Sequence, residues 1–523
     1  MVVILADDLG FSDLGSYGGD IDTPNLDRLA RSGLRLSNFY NTAKCSPSRA
    51  SLLTGLHPHQ TGIGILVKDQ RPWGYPGTLN DRCVTMAEVL GAHGYRSHLS
   101  GKWHLTGNFN EPDGAWPTER GFDGFFGTIA GAGSYFAPAT LTRDEEPVPE
   151  SSLPDDWFYT DAISDATSSF ISRHCEDSPD KPFFCYVAYT APHWPLHAKE
   201  EDVDRYRGRF DAGWDALRST RLDRLISQGI LAPDCGLSGR DPLAEPWDEA
   251  SHKQWQARRM EVYAAQVTRM DAGIGQIVHT LERQGQLDNT IVIFLSDNGG
   301  SAESQPVGII DDAMAQRLPA LNRRTRSGEP IQRGDSPAIS PGPENTWASY
   351  GRAWSNLSNA PFREHKSFVH EGGIAAPFIA HWPDGIRDGG VVRDTPHQLT
   401  DLMPTILEAA GITYPHSLLG RDLLPLEGVS MLPTWHGLTH ESSGSRMLFW
   451  EHLGNAAARY GAWKLVRTYP GDWELYNLEQ DRSELCDLAS QYPDVVNDLR
   501  TAYEQWAARC GVIPFDQLQP HLA

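Results

Sequence analysis

Residues 260–300 constrain the fold more than any other stretch of this chain. Val262, Ala265, Met270, Ile274, Ile277, Val278 and Leu281 recur at helical spacing, and Gly285 supplies the stop. Ile291-Val292-Ile293-Phe294-Leu295 then reads as a β-branched buried strand that closes in Ser296-Asp297-Asn298-Gly299-Gly300. Residues 1–125 alternate in the same way. Val2 to Ala6 reads as a buried strand, Asn25 to Gly33 and Val84 to Gly94 as helices, and Tyr95 to Leu99 as a strand. Phe183 to Tyr189 and Phe378 to Trp382 are further strands, and Leu399 to Gly411 a further helix. Such alternation predicts an α/β fold, a large β-sheet sandwiched by helices.

The tail changes character. Met447 to Leu453, Trp463 to Thr468 and Trp473 to Leu478 read as antiparallel strands. Val495, Leu499, Ala502, Tyr503, Trp506 and Cys510 form one helical face. This predicts a catalytic domain over 1–440 and a small C-terminal α+β domain over 441–523. Residues 300–360 are rich in Gly, Pro, Ser and Arg and read as a long functional loop over the site, with Trp347, Tyr350 and Trp354 near its end.

Two strands end in acidic or amide pairs, Asp7-Asp8 and Asp297-Asn298. In an open α/β sheet the ligand crevice lies at such strand ends. Side by side, they offer several hard oxygens to one divalent cation, Ca²⁺ or Mg²⁺ rather than Zn²⁺. Either pair alone would be an ordinary turn. The run Cys45-Ser46-Pro47-Ser48-Arg49 predicts a helix start, with Ser46 as N-cap and Pro47 in the first turn. The free N–H groups there favour an anion beside Cys45. Lys102 and His104 face one side if the backbone is extended.

The string Cys45-Ser-Pro-Ser-Arg-Ala-Ser-Leu-Leu-Thr-Gly55 resembles the signature of type I sulfatases, within the alkaline phosphatase superfamily. Gly101-Lys102-Trp103-His104-Leu105 and Ala191-Pro192-His193-Trp194-Pro195-Leu196 resemble further elements of that family, closest to bacterial arylsulfatases. The resemblance implies that Cys45 is oxidised to formylglycine by a maturation enzyme and hydrolyses sulfate monoesters, aryl or carbohydrate. It implies metal ligation by Asp7, Asp8, Asp297, Asn298 and the modified Cys45, usually of Ca²⁺. It implies sulfate binding by Lys102 and Lys366 and proton transfer at His104 and His193; Arg49 is expected to pair with the hydrate or its neighbouring carboxylates through a charge-assisted contact. His197 is a secondary candidate. His365 and His370 read as packing or rim residues, and His57 and His59 carry no role. A phosphonate monoester or phosphodiester hydrolase of the same superfamily is the alternative, although Asn298 favours a sulfatase. A non-catalytic metal- or anion-binding protein is the rival of another class.

Composition narrows the partners. A net charge of −23 over 523 residues leaves no basic face for nucleic acid, and no apolar run of membrane-spanning length occurs. An anionic substrate would therefore need a local cluster of cations. The seven cysteines show no zinc spacing and fit a reducing compartment, with a Cys175–Cys185 disulfide left open. Met1 leads straight into the first strand with no basic leader, so a cytoplasmic protein is expected, or a periplasmic or secreted one if a signal precedes this sequence.

Overall fold

The computed structural model describes residues 1–310, 314, 320–438 and 446–522. A ten-stranded mixed sheet forms its centre. The spatial order is Val391–Arg393, Leu34–Leu36, Phe378–His381, Val292–Ser296, Val2–Asp7, Phe183–Pro192, Arg96–Lys102, Gly124–Thr128, Leu141–Arg143 and Glu146–Pro147. The run from Val292–Ser296 to Gly124–Thr128 is parallel. Leu5 lies level with Leu295 on one side and Ala188 on the other, which aligns the carboxyl ends of three strands.

The strand Val2–Asp7 is buried on both faces, as its unbroken apolar run requires. Val2, Ile4 and Ala6 pack into one core with Ile274, Ile277 and Leu281 of the helix Lys253–Arg283 and Ile163 and Ile171 of the helix Tyr159–Asp177. Val3 and Leu5 pack into a second core with Leu52 and Leu53 of the helix Cys45–Thr54, Val89 of Met86–Ala92 and Ile406 of Leu402–Ala409. Helices thus cover both faces of the sheet. Asp271, on the long helix, accepts from the backbone N–H of Asn25 (3.1 Å) and Leu26 (2.8 Å), capping the helix Pro24–Ser32 from outside.

The C-terminal unit is a four-stranded antiparallel sheet in sequence order, Met447–His452, Asn455–Tyr460, Trp463–Arg467 and Glu474–Asn477. Leu499, Tyr503, Trp506 and Cys510 of the helix Pro493–Cys510 pack on Ala456, Ala458, Leu465 and Leu475. The strand Asn455–Tyr460 has no counterpart in the sequence reading. Its Ala-Ala-Ala centre lacks the β-branched signal, and small side chains there let the helix approach. The boundary expected at 440/441 lies outside the described residues.

One other expectation is corrected, and one open question is answered. The 300–360 stretch is not a structureless loop. Its described residues include the short strands Gly308–Ile309, Gln332–Arg333 and Thr346–Trp347 and the helix Gly351–Ser358. Two-residue strands carry too little pattern to read from sequence. Trp354 packs edge-on against Trp214 (5.1 Å between ring centroids) as part of the core. Cys175 and Cys185 form no disulfide, and both thiols are free. No helix among the described residues is long and apolar enough to cross a membrane.

Candidate active site

Four neighbouring parallel strands end on charged or amide residues. Val2–Asp7 leads to Asp7 and Asp8, Val292–Ser296 to Asp297 and Asn298, Arg96–Lys102 to Lys102 and His104, and Phe183–Pro192 to His193. Cys45 opens a helix in which every residue is buried, and its own exposure is 3%. That helix starts earlier than its sequence suggests. Lys44 is the N-cap and Pro47 occupies the third position, so Ser46 is not the cap. Ser48 accounts for the shift. Its Oγ accepts from Thr42 N–H (3.1 Å) and pairs with the Thr42 hydroxyl (2.8 Å), turning the chain before Cys45.

The charged groups interlock. Arg49 donates to Asp297 Oδ2 (2.8 Å) and to the Lys102 carbonyl (3.2 Å), and lies 3.5 Å from Asp7. Lys102 Nζ bonds Asp7 Oδ2. Lys366 Nζ donates to Asp8 (2.9 Å) and sits 3.3 Å from His193 Nε2. His193 Nδ1 donates to the Trp194 carbonyl (2.5 Å), which leaves Nε2 facing Asp8 at 3.5 Å. Burial alone would raise the Asp7 carboxyl, yet Lys102, His193, Arg49 and Lys366 hold it well below the usual carboxylate range. Burial and then the Asp7 charge push Asp297 up, against Arg49 and Lys102. Burial opposes the charge on Lys366, but Asp8 and Glu303 hold its ammonium well above the usual range. His104 is kept neutral by burial and by Lys102 and Arg49. Burial also lowers His193, against the pull of Asp8.

His104 does not share an extended backbone with Lys102. It leaves the strand in the left-handed region, at φ 57°. Asp8 (65°), Ala43 (66°), Glu364 (67°) and Ser367 (79°) do the same beside the other site segments. Such conformations cost about 1–2 kcal/mol per residue and persist where surrounding structure enforces them.

The donor set fits a hard divalent cation. Asp7 Oδ1 and Asn298 Oδ1 are buried without a hydrogen-bond partner. Asn298 Nδ2 donates to Asp8 Oδ1 (2.6 Å), so the amide oxygen is the end left open. Orphaned oxygens beside buried carboxylates are what an oxygen-seeking cation satisfies. Asp7, Asp8 and Asp297 formally balance Arg49, Lys102 and Lys366, so a dication would leave the site with an excess of two positive charges.

The remaining histidines lie elsewhere. His197 bonds the Thr346 carbonyl (2.7 Å) and accepts from Tyr135 N–H (3.3 Å) in the core. His365 bridges Ser355 and Asp241, each at 2.7 Å, and His370 is buried 3.5 Å from Glu474. His57 and His59 pack against Trp506 of the C-terminal helix. Sequence reasoning missed Glu303, which accepts from Lys44 Nζ and Trp194 Nε1, each at 2.8 Å. Its place on an irregular segment after Gly300 gives no periodic signal. It also missed how the C-terminal unit clamps the Lys366 segment. Asn455 donates to the Ser367 carbonyl (2.9 Å), Arg363 to Glu474 (3.2 Å), and Lys464 pairs with Glu371 and Glu484, each at 2.8 Å.

Fold and site together define a hydrolase of the alkaline-phosphatase-like class. Residues 1–412 match the Sulfatase family model, and residues 363–508 match the model for the C-terminal region of N-sulphoglucosamine sulphohydrolase. The chain belongs to the sulfatase family. It is 34% identical to an uncharacterized sulfatase of Schizosaccharomyces pombe over 98% of this chain and 94% of that one. It is 34% identical to the arylsulfatase of Klebsiella aerogenes over 82% and 90%. Among solved structures, Ps i-CgsB in complex with k-i-k-neocarrahexaose shares the fold, with a TM-score of 0.68 at 23% identity over 100% of this chain and 99% of that one. The protein is accordingly a hydrolase of sulfate esters, in a family that generally uses formylglycine and a divalent metal.

Proposed function

We propose that this protein hydrolyses aryl sulfate monoesters to a phenol and inorganic sulfate, with formylglycine at position 45 and Ca²⁺ as the preferred cation. The observation that carries this reading is the convergence of Cys45, three carboxylates and three cations at the sealed carboxyl ends of central parallel strands. Asp7, Asp8, Asp297 and Asn298 would hold the cation. When both are in place, the hydrated aldehyde supplies an oxygen nucleophile that can later release sulfate, and the cation offsets the charge of the ester.

The chain's own residues do the rest. Lys102 and Lys366 bind the sulfate oxygens and stabilise charge as the S–O bond breaks. Arg49, braced on Asp297 and the Lys102 carbonyl, orients the carboxylates around the nucleophile. His193, its Nδ1–H held on the Trp194 carbonyl, gives the Nε2 proton of its protonated ring to the departing phenol oxygen; burial and Lys366 oppose that form and Asp8 at 3.5 Å supports it. His104, neutral and enclosed, is the base on the nucleophile side. Water restores the balance, so ester and water become phenol and sulfate.

The 34% identity to an arylsulfatase over 82% of the chain supports the aryl preference. The test is to measure the mass of the Cys45 peptide in protein from its own host and to assay sulfate release from phenyl sulfate. An aldehyde mass, activity in the native protein and none in Cys45→Ala support the proposal. Turnover by Cys45→Ala at the native rate refutes it. Faster release of phenol from a phosphonate monoester than from the sulfate would move the protein to the alternative class.

A further inference from the structure

Burial of the site residues runs as a gradient, and the gradient gives the pocket a direction. The side chains of Asp7, Lys102 and Arg49 are sealed, Lys366 and His193 expose 2% and 6%, and Glu303 exposes 36%. A sulfate ester held between Lys102 and Lys366 therefore points its alcohol portion outward past Glu303.

Glu303 joins groups from three chain segments. Oε1 accepts from Lys44 Nζ at 2.8 Å, and Oε2 accepts from Trp194 Nε1 at 2.8 Å and lies 3.5 Å from Lys366 Nζ. Lys44 precedes Cys45, and Trp194 follows His193. Lys44 exposes only 12%, so the carboxylate is the more open member of that pair. The charge of Glu303 thus acts twice. It stands beside the path of the leaving group, and it occupies two ammonium groups that would otherwise offer a second anion a seat. The half-buried Trp194 ring lies 4.5 Å from the His193 ring and is backed by the fully buried Trp347 at 6.1 Å, so it is the apolar surface beside the carboxylate.

We infer that Glu303 is a specificity-determining residue at the mouth of the site. It restricts the protein to sulfate esters whose alcohol part presents a ring to Trp194 and carries no second anionic group next to the scissile ester. Neutral and cationic leaving groups pass, and polysulfated or carboxylated ones are rejected. This inference rests on the sulfatase reading above and narrows its substrate class. A like charge about 5–6 Å away in a partly screened site is worth roughly tenfold or more in selectivity.

The experiment measures kcat/KM for phenyl sulfate, 3-carboxyphenyl sulfate and 3-(trimethylammonio)phenyl sulfate in the native protein, Glu303→Gln and Glu303→Asp. Differences in leaving-group acidity cancel when the ratio between two esters is compared across variants. Glu303→Gln is expected to raise the carboxyphenyl-to-phenyl ratio about tenfold and to lower the cationic-to-phenyl ratio, while Glu303→Asp keeps the native ratios. An active Glu303→Gln whose ratios stay within about twofold of native overturns the inference and leaves the sulfatase reading standing. If Glu303→Gln does not fold, the native protein decides. Added salt screens the repulsion and raises its carboxyphenyl-to-phenyl ratio, whereas a flat or falling ratio overturns the inference. Native protein that carries the aldehyde yet cleaves none of the three esters overturns the aryl-sulfate reading and this inference with it.

Discussion

Replacing Arg49 by Met tests whether the buried charge lattice behaves as its geometry requires. Met keeps an unbranched side chain of good helix propensity inside the helix Cys45–Thr54. The substitution removes the 2.8 Å bond to Asp297, the 3.2 Å bond to the Lys102 carbonyl and the 3.5 Å approach to Asp7. Removing one partner of a buried pair costs about 3–5 kcal/mol. Asp297 keeps a contact with Asp8 N–H, and Asp7 keeps Lys102, so the lower end, about 3 kcal/mol, applies. Unfolding entropy of about 2.1 cal/mol/K per residue gives about 1.1 kcal/mol/K for a chain of 523 residues unfolding as one unit. The expected loss in Tm is therefore about 3 °C in chelator. Saturating Ca²⁺ should shrink that difference, because a dication beside Asp7 and Asp297 supplies the missing positive charge. Activity should still fall by about a hundredfold, since a cation does not restore the orientation that Arg49 provides. Calorimetric melting in chelator and in Ca²⁺, paired with sulfate-release kinetics, reads all three. A variant that melts within 1 °C of native in chelator, or gains no more from Ca²⁺ than native does, refutes the reasoning.

Four further outcomes follow from separate parts of the molecule. Lys464→Met leaves Glu484 without its ammonium partner while Glu371 keeps Arg482 at 2.7 Å, so melting should show a loss of about 3 kcal/mol, and KM should rise as the Lys366 segment loosens. Asp271→Ala leaves the N–H groups of Asn25 and Leu26 without their acceptor and should cost about 2–3 kcal/mol in melting, with kcat unchanged because the helix Pro24–Ser32 that Asp271 caps carries no site residue. His98 and His197 have pKa values lowered to about 4 by burial. Both stay neutral when folded but take up protons when unfolded, so their stabilisation is complete above about pH 6.5 and is lost as pH falls toward 4, at about 1.4 kcal/mol per pH unit each. His98→Phe, which keeps the stack on Phe170, should reduce the pH dependence of stability between pH 5 and 6 by about one proton, as read from melting at each pH. Exhaustive chelation should abolish most sulfate release and Ca²⁺ should restore it, and activity indifferent to chelation would remove the cation from the site.

The parts of this molecule that were legible in its sequence are those where local pattern and tertiary role coincide. The apolar run before Asp7 and the one before Asp297 must be central strands, because only a doubly covered sheet buries them on both faces. Their acidic ends then fall at one crevice by topology alone. Lys464, Glu371 and Glu484 were illegible for the opposite reason. Each is an ordinary charged residue in its own segment, and only the packing of the C-terminal sheet against the Lys366 segment makes them a buried network. Asn455–Tyr460 is a strand because its neighbours pair with it, against the preference of its alanines. Ser46 looked like a cap, yet the Thr42–Ser48 pair set the helix start two residues earlier. Propensity loses wherever side chains from distant segments satisfy the backbone better.

The charge balance of the site resolves the difficulty posed by the acidic chain. A net −23 repels an anionic ester at long range, but surface charges more than about 8–10 Å away are largely screened at physiological salt. What the ester meets within that distance is a cluster in which three carboxylates hold three cations in place, each carboxylate sealed from water. Those carboxylates do not cancel the cations so much as fix them. Lys102, bonded to Asp7, and Lys366, bonded to Asp8, lose the freedom of exposed lysines. They then present donors that need no rearrangement as charge develops. The C-terminal sheet extends this logic outward, because the segment that delivers Lys366 is held from behind by Asn455, Glu474 and Lys464. A loosened clamp should therefore appear in sulfate binding as well as in global melting. The rise in KM separates a unit that shapes the site from one that merely adds stability.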